Sequence, residues 1–121
     1  MTKERLGTGQ RGEAAAADYL ERRGWRVIER NYRTPLGELD LVAERKGVLA
    51  FIEVKTRTSD AFGEGYEAVT PRKREKLYRL AEYYLLDRRS SHLSVRFDVV
   101  SVRMDAVSGR VEKLEHWEDA F

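Results

Sequence analysis

Residues 48–56 read Val-Leu-Ala-Phe-Ile-Glu-Val-Lys-Thr and follow a turn signal, Arg45-Lys46-Gly47. So apolar a segment predicts the central strand of a sheet covered on both faces. Glu53 and Lys55 break its apolar run two residues apart, so a strand points both to one face. A buried, unpaired charge is expensive, so these two need partners. Residues 38–44 precede the turn and alternate, which predicts a paired strand. Leu39, Leu41 and Ala43 are expected on one side of it, with Glu38, Asp40 and Val42 on the other. A two-residue turn at Arg45-Lys46 would set Asp40 opposite position 51, and one at Lys46-Gly47 would set it opposite position 53. Either register places Asp40 on the face of Glu53 and Lys55.

The rest of the chain supplies the other layers. A helix is expected over residues 10–23, with Gly24 as its stop. Its Glu13, Ala16, Ala17 and Leu20 share one face. Strands follow at 25–33, 38–44 and 48–56, with a turn at Leu36-Gly37. A loop with two glycines covers 58–65. Thr70 as N-cap and Pro71 at the first helical position open a second helix to about residue 88. Its apolar stripe is Leu77, Leu80, Ala81, Tyr84 and Leu85. A strand at 93–104 and an edge strand at 111–114 complete an α/β domain, a central mixed five-stranded sheet flanked by helices. The 121 residues suit a single domain, 1–121, with 1–8 as a flexible lead. Trp25, Trp117 and the tyrosines 78, 83 and 84 read as packing groups.

Composition excludes several chemistries. Without cysteine there is no disulfide, thiol nucleophile or thiolate metal site. No apolar run approaches a membrane span and no signal segment opens the chain, so a cytoplasmic protein with no membrane partner is expected. No glycine-rich phosphate loop supports nucleotide hydrolysis, Ser90, Ser91 and His92 form no nucleophile set, and His92 and His116 lack metal-ligand spacing. The net charge of +2 is unevenly spread. Residues 70–79 carry five basic side chains and one acidic, whereas 104–121 carry two and five. Arg72, Lys73 and Arg74 sit in the first turn of the second helix, where they oppose its dipole, and bound phosphate would explain them. Thr56 and Arg57, which follow the charged strand directly, and Arg11, on the first helix, are further candidate phosphate contacts. The acidic end offers an alternative role, docking a protein partner.

Asp40, Glu53 and Lys55 together suggest phosphodiester chemistry. Two carboxylates repel unless a cation lies between them. Oxygen ligands without cysteine or an adjacent histidine favour Mg²⁺ or Mn²⁺. Lys55 can orient a water or neutralise charge developing on the phosphate. Glu13, on an otherwise small and apolar helix face, points the same way.

The segments Gly9-Gln10-Arg11-Gly12-Glu13, Gly37-Glu38-Leu39-Asp40-Leu41, Phe51-Ile52-Glu53-Val54-Lys55-Thr56-Arg57 and Ala68-Val69-Thr70-Pro71-Arg72-Lys73 resemble the YraN family. That family is similar to the PD-(D/E)xK nuclease superfamily and to its archaeal Holliday-junction resolvases. The resemblance implies a restriction-endonuclease-like fold and a metal-dependent endonuclease acting on DNA, including branched or structured DNA. It implies Asp40, Glu53 and Glu13 as metal ligands and Lys55 as the catalytic lysine. Leu39 stands where the superfamily's name has proline. Symmetric cutting of a junction would suit a homodimer. The alternative is a nucleic-acid-binding module of the same fold without turnover.

Overall fold

The structure, a computed structural model, describes residues 7–58, 70–88 and 94–121. Its elements are α1 (Thr8–Arg22), β1 (Arg26–Thr34), β2 (Gly37–Arg45), β3 (Val48–Arg57), α2 (Pro71–Asp87), β4 (Ser94–Met104) and β5 (Val111–Trp117). The five strands form one sheet in the order β1-β2-β3-β4-β5. β3 and β4 pair in parallel, and every other pair is antiparallel. This is the α/β, restriction-endonuclease-like arrangement that the sequence motifs imply. Residues 59–65 of the expected loop, with Gly63 and Gly65, and also Tyr66, Ser90, Ser91 and His92, lie outside the described residues, as do residues 1–6 of the expected lead at 1–8; Thr8 already opens α1, two residues before the expected start at 10.

Local chemistry explains the boundaries. α1 ends where Gly24 takes φ +88°. Gly24 N–H donates to Glu21 O at 3.1 Å and Trp25 N–H to Leu20 O at 3.0 Å, the paired bonds that close a helix on a left-handed residue. The hairpin between β2 and β3 turns on Lys46 and Gly47, with φ of +49° and +79°. Two positive values match a twisted two-residue hairpin. Arg45 therefore pairs Val48 and Leu41 pairs Ile52. The Thr70 side chain caps α2, accepting Lys73 N–H at 3.3 Å, and Pro71 opens the helix. The β1–β2 turn falls at Pro35-Leu36, one residue earlier than expected, and Gly37 is already the first residue of β2. β5 runs three residues beyond its expected end, to Trp117. β5 is a paired edge strand, and Ala120 N–H donates to Phe97 O at 2.7 Å, so the acidic end is folded against the sheet.

β3 alternates strictly, as its composition requires. Ala50, Ile52 and Val54 face the α1 layer with Val100 and Val102, against Ala16, Ala17 and Leu20. Leu49 and Phe51 face Leu77, Leu80, Ala81 and Tyr84 of α2. The small residues of α1 let it lie close to the sheet. Gly12 is the extreme case, since a Cβ there would stand 1.9 Å from Thr56 Oγ1 and 2.8 Å from Thr56 Cβ. Gly12→Ala should therefore destabilise the fold by about 1–3 kcal/mol through overpacking. Helix propensity alone predicts the opposite sign. A urea midpoint equal to or above that of the wild type would refute this close approach.

Candidate active site

The site forms where two strands exchange faces. Arg30 pairs Leu41 and Tyr32 pairs Leu39, so Asn31 and Asp40 lie between these pairs. Leu41 packs in the α1 layer but Leu39, two residues away, packs in the α2 layer. Arg30 and Tyr32 split in the same way, to Glu21 of α1 at 3.1 Å and to the Tyr84 ring of α2 at 5.0 Å. Asn31 takes φ +52°, which asparagine tolerates better than most residues, and this reverses the alternation in β1. The expected grouping of Leu39 with Leu41 and Ala43 is therefore wrong. Simple face parity also fails for Asp40.

In a regular ladder Val54 N–H would meet a backbone carbonyl of β2. Instead it donates to Asp40 Oδ2 at 2.8 Å. The last β2–β3 pair before this point is Leu41 with Ile52. Asp40 thus sits in the fork between the strands, where it can meet groups from both faces. Glu13 reaches it from α1 and Glu53 from β3. The Asn31 amide, oriented to satisfy both neighbours, donates to Glu13 and Glu38 at 2.8 Å each.

Three carboxylates around one fork crowd negative charge. Burial first, then the charge of Glu53 and that of Glu13, push Asp40 up to about 8 against the Val54 bond. Glu13 is raised by burial and by the charges of Glu38 and Glu53, against hydrogen bonds to Asn31 and Asp40. Being at the sixth helical position, Glu13 lies too far along α1 to serve as a dipole partner in its first turn. Lys55 Nζ stands 3.7 Å from Glu53 Oε1, with side chains 22% and 23% exposed, so an incoming ligand can reach both. Lys73 comes from α2 to stand beside Lys55, and the neighbouring Lys55 ammonium holds the Lys73 pKa below its ordinary value. Lys55, Lys73, Lys76, Glu38 and Glu53 line a hollow of about 190 Å³.

The donor set suits a hard cation in charge and atom type. Among the described residues no three carboxylate or imidazole groups are gathered as a ready-made metal cage. Mg²⁺ does not need one, because it is commonly held by one or two carboxylates, waters and substrate phosphate. Asp40 and Glu53 fit that role, with Glu13 behind Asp40.

The other expected contacts are dispersed. Arg72 is exposed and lines a separate groove, which shares Lys76 with the hollow. The Arg74 guanidinium lies over the Phe121 ring at 5.5 Å. Arg11 lies on the β4–β5 turn, where a Cβ on Gly109 would stand 2.1 Å from its Nη1. Thr56 packs under Gly12 on the α1 face, and Arg57 is half-buried at the end of β3. Sequence reasoning missed the roles of Asn31 and Lys76. An asparagine inside a strand was the available signal for the first. Lys76 lies one helical turn after Arg72, on the same face of α2.

Among the described residues no helix is long and apolar enough to cross a membrane. A model of the uncharacterised protein family UPF0102 matches residues 12–102. A UPF0102 protein of Syntrophotalea carbinolica is 46% identical over 121 residues, covering 100% of this chain and 96% of the relative. One from Moorella thermoacetica is 54% identical over 101 residues, 84% of each chain. One from Pelotomaculum thermopropionicum is 45% identical over the full length of both. The matched region holds Glu13, Asp40, Glu53 and Lys55, and the chain belongs to the UPF0102, or YraN, family.

Proposed function

We propose that the protein is a metal-dependent endonuclease that hydrolyses DNA phosphodiesters. One observation carries this reading: Asp40, in the β2–β3 fork, joins Glu13 to Glu53, and Lys55 lies beside Glu53. Asp40 and Glu53 would hold the ion, and Glu13 would hold Asp40 in place. A bound Mg²⁺ or Mn²⁺ supplies Lewis-acid neutralisation at a phosphate oxygen. Lys55 sits where its ammonium can neutralise charge that develops as water adds to phosphorus and a P–O ester bond breaks. Lys73, in contact with Lys55, adds a second cation for the phosphate. The test is cleavage of labelled duplex, flap and four-way-junction DNA in Mg²⁺ or Mn²⁺ against chelator. Cuts that need the metal support the reading, and cuts that persist in chelator contradict it.

The basic start of α2 favours a second reading, a binding module without turnover. Arg72 and Lys73 oppose the helix dipole, which bound phosphate would offset. Under either reading, Arg72→Ala with Lys73→Ala should weaken DNA binding and reduce the log-log salt slope by about two. An unchanged slope in a titration of affinity against salt would remove both residues from the interface. Salt-dependent binding with no product under any metal would select the binding module.

A further inference from the structure

The β1–β2 turn places an aliphatic side chain beside the hollow at Lys55. Leu36 is 52% exposed. A lone exposed leucine needs no explanation. This one stands on a rigid tip. Leu36 N–H and Gly37 N–H donate to Thr34 Oγ1 at 3.0 and 3.1 Å, and that hydroxyl donates to Gly37 O at 2.9 Å. Pro35 fixes its own φ. Leu36, Arg72, Glu75, Lys76 and Arg79 line a groove of about 510 Å³. Glu75 pairs with Arg79 at 3.0 Å, so Arg72 and Lys76 set the groove's positive charge. Lys76 also lines the hollow with Glu53, Lys55 and Lys73, so it borders both spaces. It crosses the turn at Gly37, where a Cβ would stand 3.0 Å from Lys76 Cε.

We propose that Leu36 is a wedge. It packs against an unpaired base next to the phosphate held at Lys55, while Arg72 and Lys76 hold the neighbouring phosphates. The proposal rests on the nucleic-acid reading above. A rigid, protruding aliphatic group ringed by cations matches what nucleic acid offers where it is opened, a base face between phosphates. Apolar side chains of this kind are used by other proteins to enter base steps. A protein partner with an acidic groove-binding segment would use the cations but would not discriminate paired from unpaired bases.

The test is binding in chelator, so no cleavage is needed. The whole chain is titrated against a labelled duplex and against the same duplex with a short internal mismatch bubble carrying 2-aminopurine. Wild type should prefer the bubble and change the 2-aminopurine emission. Leu36→Ala should lose about tenfold in affinity for the bubble, with duplex affinity and melting temperature unchanged. Leu36→Phe should restore the preference. Leu86→Ala, an exposed leucine near the end of α2, should change neither. If Leu36→Ala keeps the bubble preference, or Leu86→Ala loses it equally, the wedge is wrong and the nuclease reading stands. If wild type binds neither DNA in chelator, the wedge is wrong, and the nuclease reading is decided by its own cleavage test with metal.

Discussion

Asp40→Asn should reduce DNA cleavage by at least about a hundredfold while leaving the protein as stable as the wild type or more so. Asparagine keeps an oxygen that can accept Val54 N–H, which Asp40 Oδ2 now accepts at 2.8 Å. It removes the charge that burial, Glu53 and Glu13 oppose. A carboxylate kept where its ionised form is unfavourable is characteristic of a site built for a cation. Lys55→Ala should lose at least as much activity and retain DNA binding. The check is single-turnover cleavage beside thermal melting. A fall in melting temperature that matches the lost activity would make Asp40 a structural residue.

Asp98→Ala should destabilise the fold by about 3–5 kcal/mol, the largest stability effect expected of any single change outside the hydrophobic core. Asp98 is fully buried. It accepts two bonds from Arg96 at 3.0 and 2.9 Å, contacts His116 Nε2 at 2.6 Å and accepts Asp119 N–H at 3.0 Å. His116 Nδ1 faces Tyr19 OH at 3.2 Å, and Arg96 lies over the Trp25 ring at 4.8 Å. One carboxylate thus ties β4, β5 and the chain end to α1. Burial alone would raise its pKa, but the bonds from His116, Arg96 and the Asp119 amide outweigh it and hold the group below its ordinary 3.8. A depressed folded-state pKa contributes stability that is full above about pH 4. That stability is lost as pH falls through the folded value. Urea unfolding at pH 7 and along a descending pH series checks both points. In Asp98→Asn this part of the acid dependence should be missing. A loss under about 1 kcal/mol for Asp98→Ala would contradict the network's role.

The fold was legible wherever one local rule decided the outcome. Gly24, Lys46-Gly47 and Thr70-Pro71 each carry a stop, turn or cap whose chemistry acts within a few residues, and each stands where the sequence placed it. The turn at Lys46-Gly47 resolves the open register in favour of position 53 over position 51 opposite Asp40. The approach of Glu13 was legible because α1 has a face of alanines and one leucine. The face exchange was not, because period-two reasoning assumes extended backbone throughout. A left-handed Asn31 breaks that assumption in β1, and the diverging ladder breaks it at Asp40. Asp98 went unread in a valine-rich strand although the argument applied to Glu53 applies to it equally. Its partners come from distant segments, His116 and Asp119 among them. The extra length of β5 depends on pairing with β4, since Val-Glu-Lys-Leu-Glu-His-Trp has no clean apolar alternation.

The most direct test of the central claim compares wild type with Glu53→Ala and Lys55→Ala on labelled duplex, flap and four-way-junction DNA, in Mg²⁺ or Mn²⁺ and in chelator. The account predicts cuts by the wild type only with metal, and none above background by either variant, with DNA binding retained by Lys55→Ala. Wild-type activity in Lys55→Ala, or no cleavage by the wild type on any DNA form with either metal, would contradict it.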